Sequence, residues 1–219
     1  MPEKNNREYR NMAIEARAAA EGDEKMIVTG YASTFDEPYT LWEDEGYRFE
    51  EVVERGAFDD TDMTDVIMQY DHEGRVFART RNNTLEVEPD EKGLFIRADL
   101  GGTERGRDLY EDIRLGYIDR MSFGFTVKGE YFEREKTDEG VTIVKRHVSK
   151  VGKLYDVSAV SIPANDTTSI GANAVTRSIG DLVDGVIERM QAERLAEERL
   201  ETRRKMTQLR IESLKEKMK

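Results

Sequence analysis

A serine stands in the most apolar short run of this chain. Residues 119–125 read DRMSFGF, so Ser122 lies between Met121 and Phe123, where burial alone would favour Val or Ile. A serine hydroxyl becomes a nucleophile only beside a base, because unassisted it is almost fully protonated at neutral pH. The 219 residues include two histidines, His72 and His147, and no cysteine. Acyl transfer by Ser122 therefore has two candidate bases, while thiol chemistry, disulfides and Cys-ligated zinc are excluded. Asp71 and Glu73 flank His72 and invite a metal. Consecutive strand residues face opposite sides, so the three cannot converge on one ion, and no metal or other cofactor is expected. The stretch GGTERG (101–106) lacks the lysine and the following apolar helix of a phosphate-binding loop.

The elements that must hold these residues are mostly strands. Apolar residues alternate in Met12–Arg17 and in Met26–Ala32, with the turn signal Glu21-Gly22-Asp23 between them, a hairpin pattern. Residues 36–47 (DEPYTLWEDEGY) read as a loop, and Phe49–Val53 and Val66–Met68 as short strands. Leu85–Glu88 and Gly93–Leu100 alternate around Pro89–Gly93, a turn in which glycine would supply positive φ. The spacing predicts a helix over 104–115, with Leu109, Tyr110 and Ile113 on one face and Gly116 at its C-cap. Apolar strands follow at 121–127, 141–144 and 154–162, the first two separated by a charged excursion at 128–140. In the first of these, alternation turns Ser122 away from Met121, Phe123 and Phe125. Many short strands with few helices predict an α+β, mainly β fold. Its form would be an antiparallel β-barrel with a few flanking helices and a helical C-terminal extension.

Charge divides the chain in two. The formal net charge is −12, yet residues 176–219 hold 11 Lys/Arg against 9 Asp/Glu, leaving −14 on the remainder. The division expected is a barrel domain at 1–172 and a charged helical extension at 173–219. Ile179, Leu182, Val183, Val186, Ile187 and Met190 form a stripe at helical spacing, but heptads are not sustained. Thr202 to Lys219 is basic, with seven Lys/Arg and two Glu, and suits a segment that docks on a partner. No run approaches the roughly 20 apolar residues that span a bilayer, and the polar start MPEKNNREYR does not read as a signal peptide. The acidic body argues against nonspecific nucleic-acid binding.

Six segments occur in order: GYASTFDEP, FEEVVERGAFDD, YDHEGRVFART, DEKGLFIRADL, GYIDRMSFGF and LYDVSAVSIPAN. Together they resemble the prohead (procapsid) maturation proteases of tailed bacteriophages, a family related in fold to the herpesvirus assemblins. The resemblance covers roughly residues 8–170. It implies that Ser122 is the nucleophile, His72 the base and Asp156 the acid that orients it. The family often has glutamate at the position of Asp156 and glycine at that of Ala78. Assemblins use a second histidine as third member, which keeps His147 as the alternative to Asp156.

The same resemblance implies a serine endopeptidase of phage head maturation. Its substrates would be scaffold, scaffold-like segments of the major capsid protein, and the enzyme itself, the tail included. It would work in the host bacterial cytoplasm, inside the procapsid, with a homodimer suggested by the assemblins. The contrasting expectation is a noncatalytic capsid assembly or scaffolding protein on the same barrel. A β-barrel binding module unrelated to phage would make the six ordered segments coincidence.

Overall fold

The computed structural model describes residues 7–12, 17–18, 25–44, 46–161, 184–186, 188 and 199–207. In chain order the strands are β1 (Glu8–Met12), β2 (Arg17–Ala18), β3 (Ile27–Thr34), β4 (Tyr39–Asp44), β5 (Tyr47–Val53) and β6 (Ile67–Tyr70). Then come β7 (Glu73–Arg79), β8 (Leu85–Pro89), β9 (Gly93–Asp99), the helix α1 (Glu104–Arg114), β10 (Arg120–Lys136) and β11 (Thr142–Val160). The chain divides into two compact units, Met1–Ile179 and Gly180–Lys219. In the second, residues 184–186, 188 and 199–207 are helical, and Lys205 pairs with Glu201 one turn back. Residues 13–16, the turn at 21–23, most of the stripe from Ile179 and the end of the LYDVSAVSIPAN segment lie outside the described residues.

The first unit is mainly β, and its strands form two sheets. One is mixed and seven-stranded, in the order β1-β10-β11-β5-β4, with β6 paired to β11 and to β7. The other is antiparallel, in the order β2-β3-β9-β8. The expectation of a mainly β, antiparallel barrel holds in its β content, but the larger sheet is mixed. β5 and β6 both run parallel to β11, and no ladder joins the two sheets among the described residues. Side-chain alternation has period two whichever way the neighbouring strand runs, so it carries no information on direction or closure. β11 is 19 residues long, and its two halves are bordered in succession by β5 and β6.

The core lies between the sheets. Val28, Ala32, Leu94, Ile96 and Ala98 of the antiparallel sheet join Met121, Phe123, Phe125, Val157 and Ala159 in one buried cluster. Phe123 stacks on Phe125 with ring centroids 4.6 Å apart, and each such fully buried side chain is worth about 1.5–3 kcal/mol. α1 adds Leu109 and Ile113 to this cluster. Its start is fixed by Thr103, whose side chain accepts from the Gly106 N–H at 3.0 Å, and Gly116 follows its end at φ +78°.

Several local expectations are revised. Arg17–Ala18 does pair antiparallel with Val28–Thr29, but Met12 belongs to β1 and pairs with Met121 instead. Residues 39–44, read as loop, form a strand because β5 offers them a ladder. The charged stretch after residue 127 stays in β10 as far as Lys136, its backbone paired with β11 beyond the edge of the core. Gly93 is glycine for proximity and not for its φ, since a Cβ there would lie 2.0 Å from the Ser33 carbonyl oxygen.

Candidate active site

Two adjacent strands build the floor of the site. Ser122 on β10 stands opposite Ser158 on β11, and Gly124 stands opposite Asp156. Because each strand alternates, Ser122, Gly124, Asp156 and Ser158 share one face, while Met121, Phe123, Val157 and Ala159 point to the core. Gly124 is required by what lies above it. A Cβ at that position would come within 2.3 Å of Asp156 Oδ2 and 2.8 Å of a Tyr9 ring carbon. The absent side chain makes room for the carboxylate and for Tyr9.

His72 arrives from the β6–β7 hairpin. Tyr70 pairs with Glu73, and the two residues between them, Asp71 and His72, have φ of 51° and 60°. Two left-handed residues in a two-residue hairpin make a turn whose twist matches its strands, at a steric cost that Asp and His tolerate better than most. The turn is fastened to β11. Asp71 N–H donates to the Ala159 carbonyl at 2.9 Å, and its carboxylate accepts from Ser161 N–H and Ser161 Oγ, both at 2.8 Å. β6 itself runs parallel to β11 from Asp156 to Ala159, which sets the turn close to the serine-bearing face.

The imidazole then spans the two strands. His72 Nδ1 lies 2.5 Å from Asp156 Oδ1, and His72 Nε2 lies 2.6 Å from Ser122 Oγ. An ionised carboxylate can only accept, so Nδ1 carries the hydrogen and a neutral ring leaves Nε2 as the acceptor facing the hydroxyl. Ser158 Oγ donates at 2.8 Å to Asp156 Oδ1, the same oxygen that meets His72. Asp156 Oδ2 has no hydrogen-bond partner among the described residues, and Arg7 Nη1 stands 3.9 Å from it. Tyr9 packs its ring edge-on to His72 at 4.5 Å.

Ser122 has a second acceptor. Its Oγ also lies 2.8 Å from the Arg10 carbonyl oxygen of β1. One hydroxyl carries one proton, so Arg10 O and His72 Nε2 compete for it.

Beneath β1 lies a buried ionic network. Glu51 takes Arg10 Nε at 2.7 Å and Nη2 at 2.9 Å, Arg146 Nη1 at 2.7 Å, and the Tyr39 hydroxyl. Arg146 also donates to Glu8 at 2.6 and 2.9 Å and to Glu130 at 2.6 Å. Burial pushes the Glu51 carboxyl up, but Arg10 and Arg146 outweigh it and bring it down to about 2. Glu8 is likewise lowered: burial opposes this, and the Arg146 hydrogen bond and the Arg10 charge prevail. Burial and the Glu51 charge push the Tyr39 phenol well above its usual range.

His147 stands apart from Ser122 and His72. It stacks on Tyr131 at 4.5 Å, with Nδ1 3.2 Å from Glu54 and Nε2 3.4 Å from Glu133. Of the two residues considered for the third position, only Asp156 touches His72. The trio Asp71, His72 and Glu73 diverges, though for a different reason from the one expected. Asp71 and His72 occupy a turn and not a strand, and their side chains leave in different directions, to Ser161 and to Asp156. Among the described residues no group of three His, Asp or Glu is arranged to hold a metal.

Sequence reading missed Ser158, Tyr9, Arg7 and the Arg10 carbonyl. Ser158 was within reach, since it lies two residues from Asp156 and must share its face. β1 carried no signal, because its sequence EYRNM is polar and without clear alternation.

No curated protein matches the chain. Among solved structures, the bacteriophage T4 capsid assembly protease is similar at 13% identity and a TM-score of 0.36, over 73% of this chain and 100% of that one. A family model described as the caudovirus prohead serine protease matches residues 12–182, more than three quarters of the sequence, and the chain belongs to that family.

Proposed function

We propose that the chain is the endopeptidase of phage head maturation, with Ser122 as nucleophile, His72 as general base and then acid, and Asp156 as the carboxylate that orients His72. The observation that carries this reading is the unbroken run of contacts Ser122 Oγ–His72 Nε2 and His72 Nδ1–Asp156 Oδ1, at 2.6 and 2.5 Å. Ser122 Oγ attacks a peptide carbonyl carbon as its proton passes to Nε2, and the C–O bond formed yields a tetrahedral oxyanion. Collapse expels the amine, which takes the proton from Nε2, and leaves an acyl-serine. Water then repeats the sequence, returning the proton to Ser122 and releasing the acid. Asp156 accepts throughout from Nδ1, stabilising the imidazolium without itself taking the proton.

The substrates proposed are scaffold or scaffold-like segments of the major capsid protein, and the chain itself. Confinement within a procapsid in the host cytoplasm raises the local concentration, so intrinsic activity need not be high. The body at 1–172 carries the chemistry, and the basic extension at 173–219 docks on capsid or scaffold subunits. A homodimer is part of this reading, nucleic acid is not, and no helix among the described residues is long and apolar enough to cross a membrane.

Coexpression of wild type or Ser122→Ala with the capsid and scaffold genes, followed by intact-mass analysis, tests the assignment. Processing by wild type alone is expected. Equal processing by the alanine variant would remove Ser122 as nucleophile and leave a noncatalytic assembly protein as the better account.

A further inference from the structure

Ser122 and Asp156 are each 0% exposed, and the His72 side chain is 2% exposed. A peptide bond therefore has no route to Ser122 Oγ unless something moves. Among the described residues three bodies surround the hydroxyl: the β10–β11 ladder, the β6–β7 turn and β1. The first two cannot leave without dismantling the site, since they carry Ser122, Asp156 and His72. β1 is different. It is five residues long and, among the described residues, sits at the edge of its sheet and pairs with β10 alone. It also supplies the cover: Asn11 stands opposite Ser122, the Arg10 carbonyl meets Oγ, and Tyr9 lies against His72 and over Gly124.

We propose that β1 is a resident strand that closes the site, and that the substrate main chain adds to the β10 edge in its place, as an extended polypeptide antiparallel to β10. The proposal rests on the reading of Ser122 as nucleophile. In the closed form the hydroxyl proton has the Arg10 carbonyl as an alternative acceptor, a group that is not a base. Departure of β1 leaves His72 Nε2 as its acceptor and bares the N–H and C=O groups along one side of β10, which any extended chain can satisfy.

The network beneath β1 says what kind of strand fits. Glu8 and Arg10 are two positions apart, and each side chain enters the cluster of Glu51 and Arg146. When β1 leaves, Glu51 and Arg146 still hold each other at 2.7 Å and Arg146 keeps Glu130. The socket then presents a carboxylate where Arg10 was and a guanidinium where Glu8 was. It is complementary to a segment with an acidic residue and, two positions later, a basic one.

The chain has no cysteine, so a disulfide can be introduced without background. Met12 stands opposite Met121. Directly opposed residues of an antiparallel pair lie about 4.5–5.5 Å apart at Cα, a separation a disulfide spans. In the full-length Met12→Cys/Met121→Cys chain, modification of Ser122 by a fluorophosphonate is followed by intact mass. The oxidised form is expected to react at least tenfold more slowly than the reduced form, with full recovery on adding dithiothreitol. Equal, measurable rates in both forms would overturn the strand exchange and leave the protease reading standing. No modification of Ser122 in the wild-type chain would overturn the protease reading, and the exchange with it.

Hydrogen exchange on wild type covers the case of a double variant that fails to fold. After modification by a peptidyl phosphonate, the amides of Glu8–Met12 are expected to lose protection at least tenfold while those of β11 keep theirs. Unchanged protection of Glu8–Met12 would overturn the exchange. A phosphonate carrying Glu-X-Arg should react about tenfold faster than one carrying Gln-X-Gln, and equal rates would overturn the acid–base socket.

Discussion

Two buried polar clusters lie in one sheet, and they are built on opposite principles. In the network of Arg10, Glu51, Arg146 and Glu8, each oxygen of Glu51 takes two donors and Arg146 is shared among three carboxylates. In the cluster of Ser122, His72, Asp156 and Ser158, one carboxylate oxygen lacks a hydrogen-bond partner among the described residues and one hydroxyl has two acceptors. A saturated cluster resists any change of charge. An undersaturated one has protons that can move and room for new charge. Full satisfaction marks the cluster that holds β1 in place, and its absence marks the one proposed to react.

The comparison can be broken by removing one group from each cluster. The largest effect is expected at Asp156. Asp156→Asn should leave the fold intact and lower kcat by about 10⁴-fold, because the amide no longer enforces the Nδ1–H tautomer. Steady-state cleavage of a capsid-derived peptide, with unfolding midpoints for both proteins, measures this. A loss of only a few-fold would show that Asp156 does not orient the base.

Glu51→Gln acts on the other cluster, where it leaves two buried guanidiniums short of charge. Breaking such a buried pair costs about 3–5 kcal/mol, read from urea unfolding at neutral pH. The same group predicts an acid limb. The Glu51 carboxyl is lowered from 4.5 to about 2 on folding, so its contribution is present above 4.5 and lost as pH falls toward 2. Wild type should lose stability steeply across that window, and Glu51→Gln should lose less. Parallel pH profiles for the two would contradict the network's role.

Gly124→Ala tests the space above β10 that Asp156 and Tyr9 fill. The added methyl meets the Asp156 carboxylate and Tyr9, so Asp156 must turn from His72. Activity should fall about 10²-fold, in kcat more than in KM, at a cost in stability of roughly 1–3 kcal/mol for overpacking. The smallest effect is expected from Ser158→Ala. It deletes one hydrogen bond to Asp156, worth about 1 kcal/mol or somewhat more for a charged acceptor, and should lower kcat by roughly tenfold. The loss should fall on kcat with KM and the unfolding midpoint little changed, a split that a purely structural serine would not give.

Much of this was readable from residue types and spacing. The alternation of 121–127 and 154–160 fixes which face bears Ser122 and which bears the apolar core, since period two is a local property of an extended chain. α1 was equally legible from Leu109, Tyr110, Ile113 and Gly116, because helical spacing and a terminal glycine are also local, whereas the Thr103 cap was read only from the structure. β4 and the far half of β10 were not legible. Both are strands because a neighbour supplies a ladder, and charged residues do not advertise a backbone partner.

The chain's own letters set the chemical inventory: serines in two apolar strands, two histidines, no thiol, and an acid two residues from one of those serines. They also set which side chains share a face, because pleating is local. Which histidine meets Ser122 was settled by contacts 50 and 84 residues apart, through a left-handed turn and a strand parallel to β11. That β1 covers the site depends on a contact spanning 112 residues. Direction and register between distant strands follow from burying whole sheet faces at once, a cooperative choice that no short window of sequence contains.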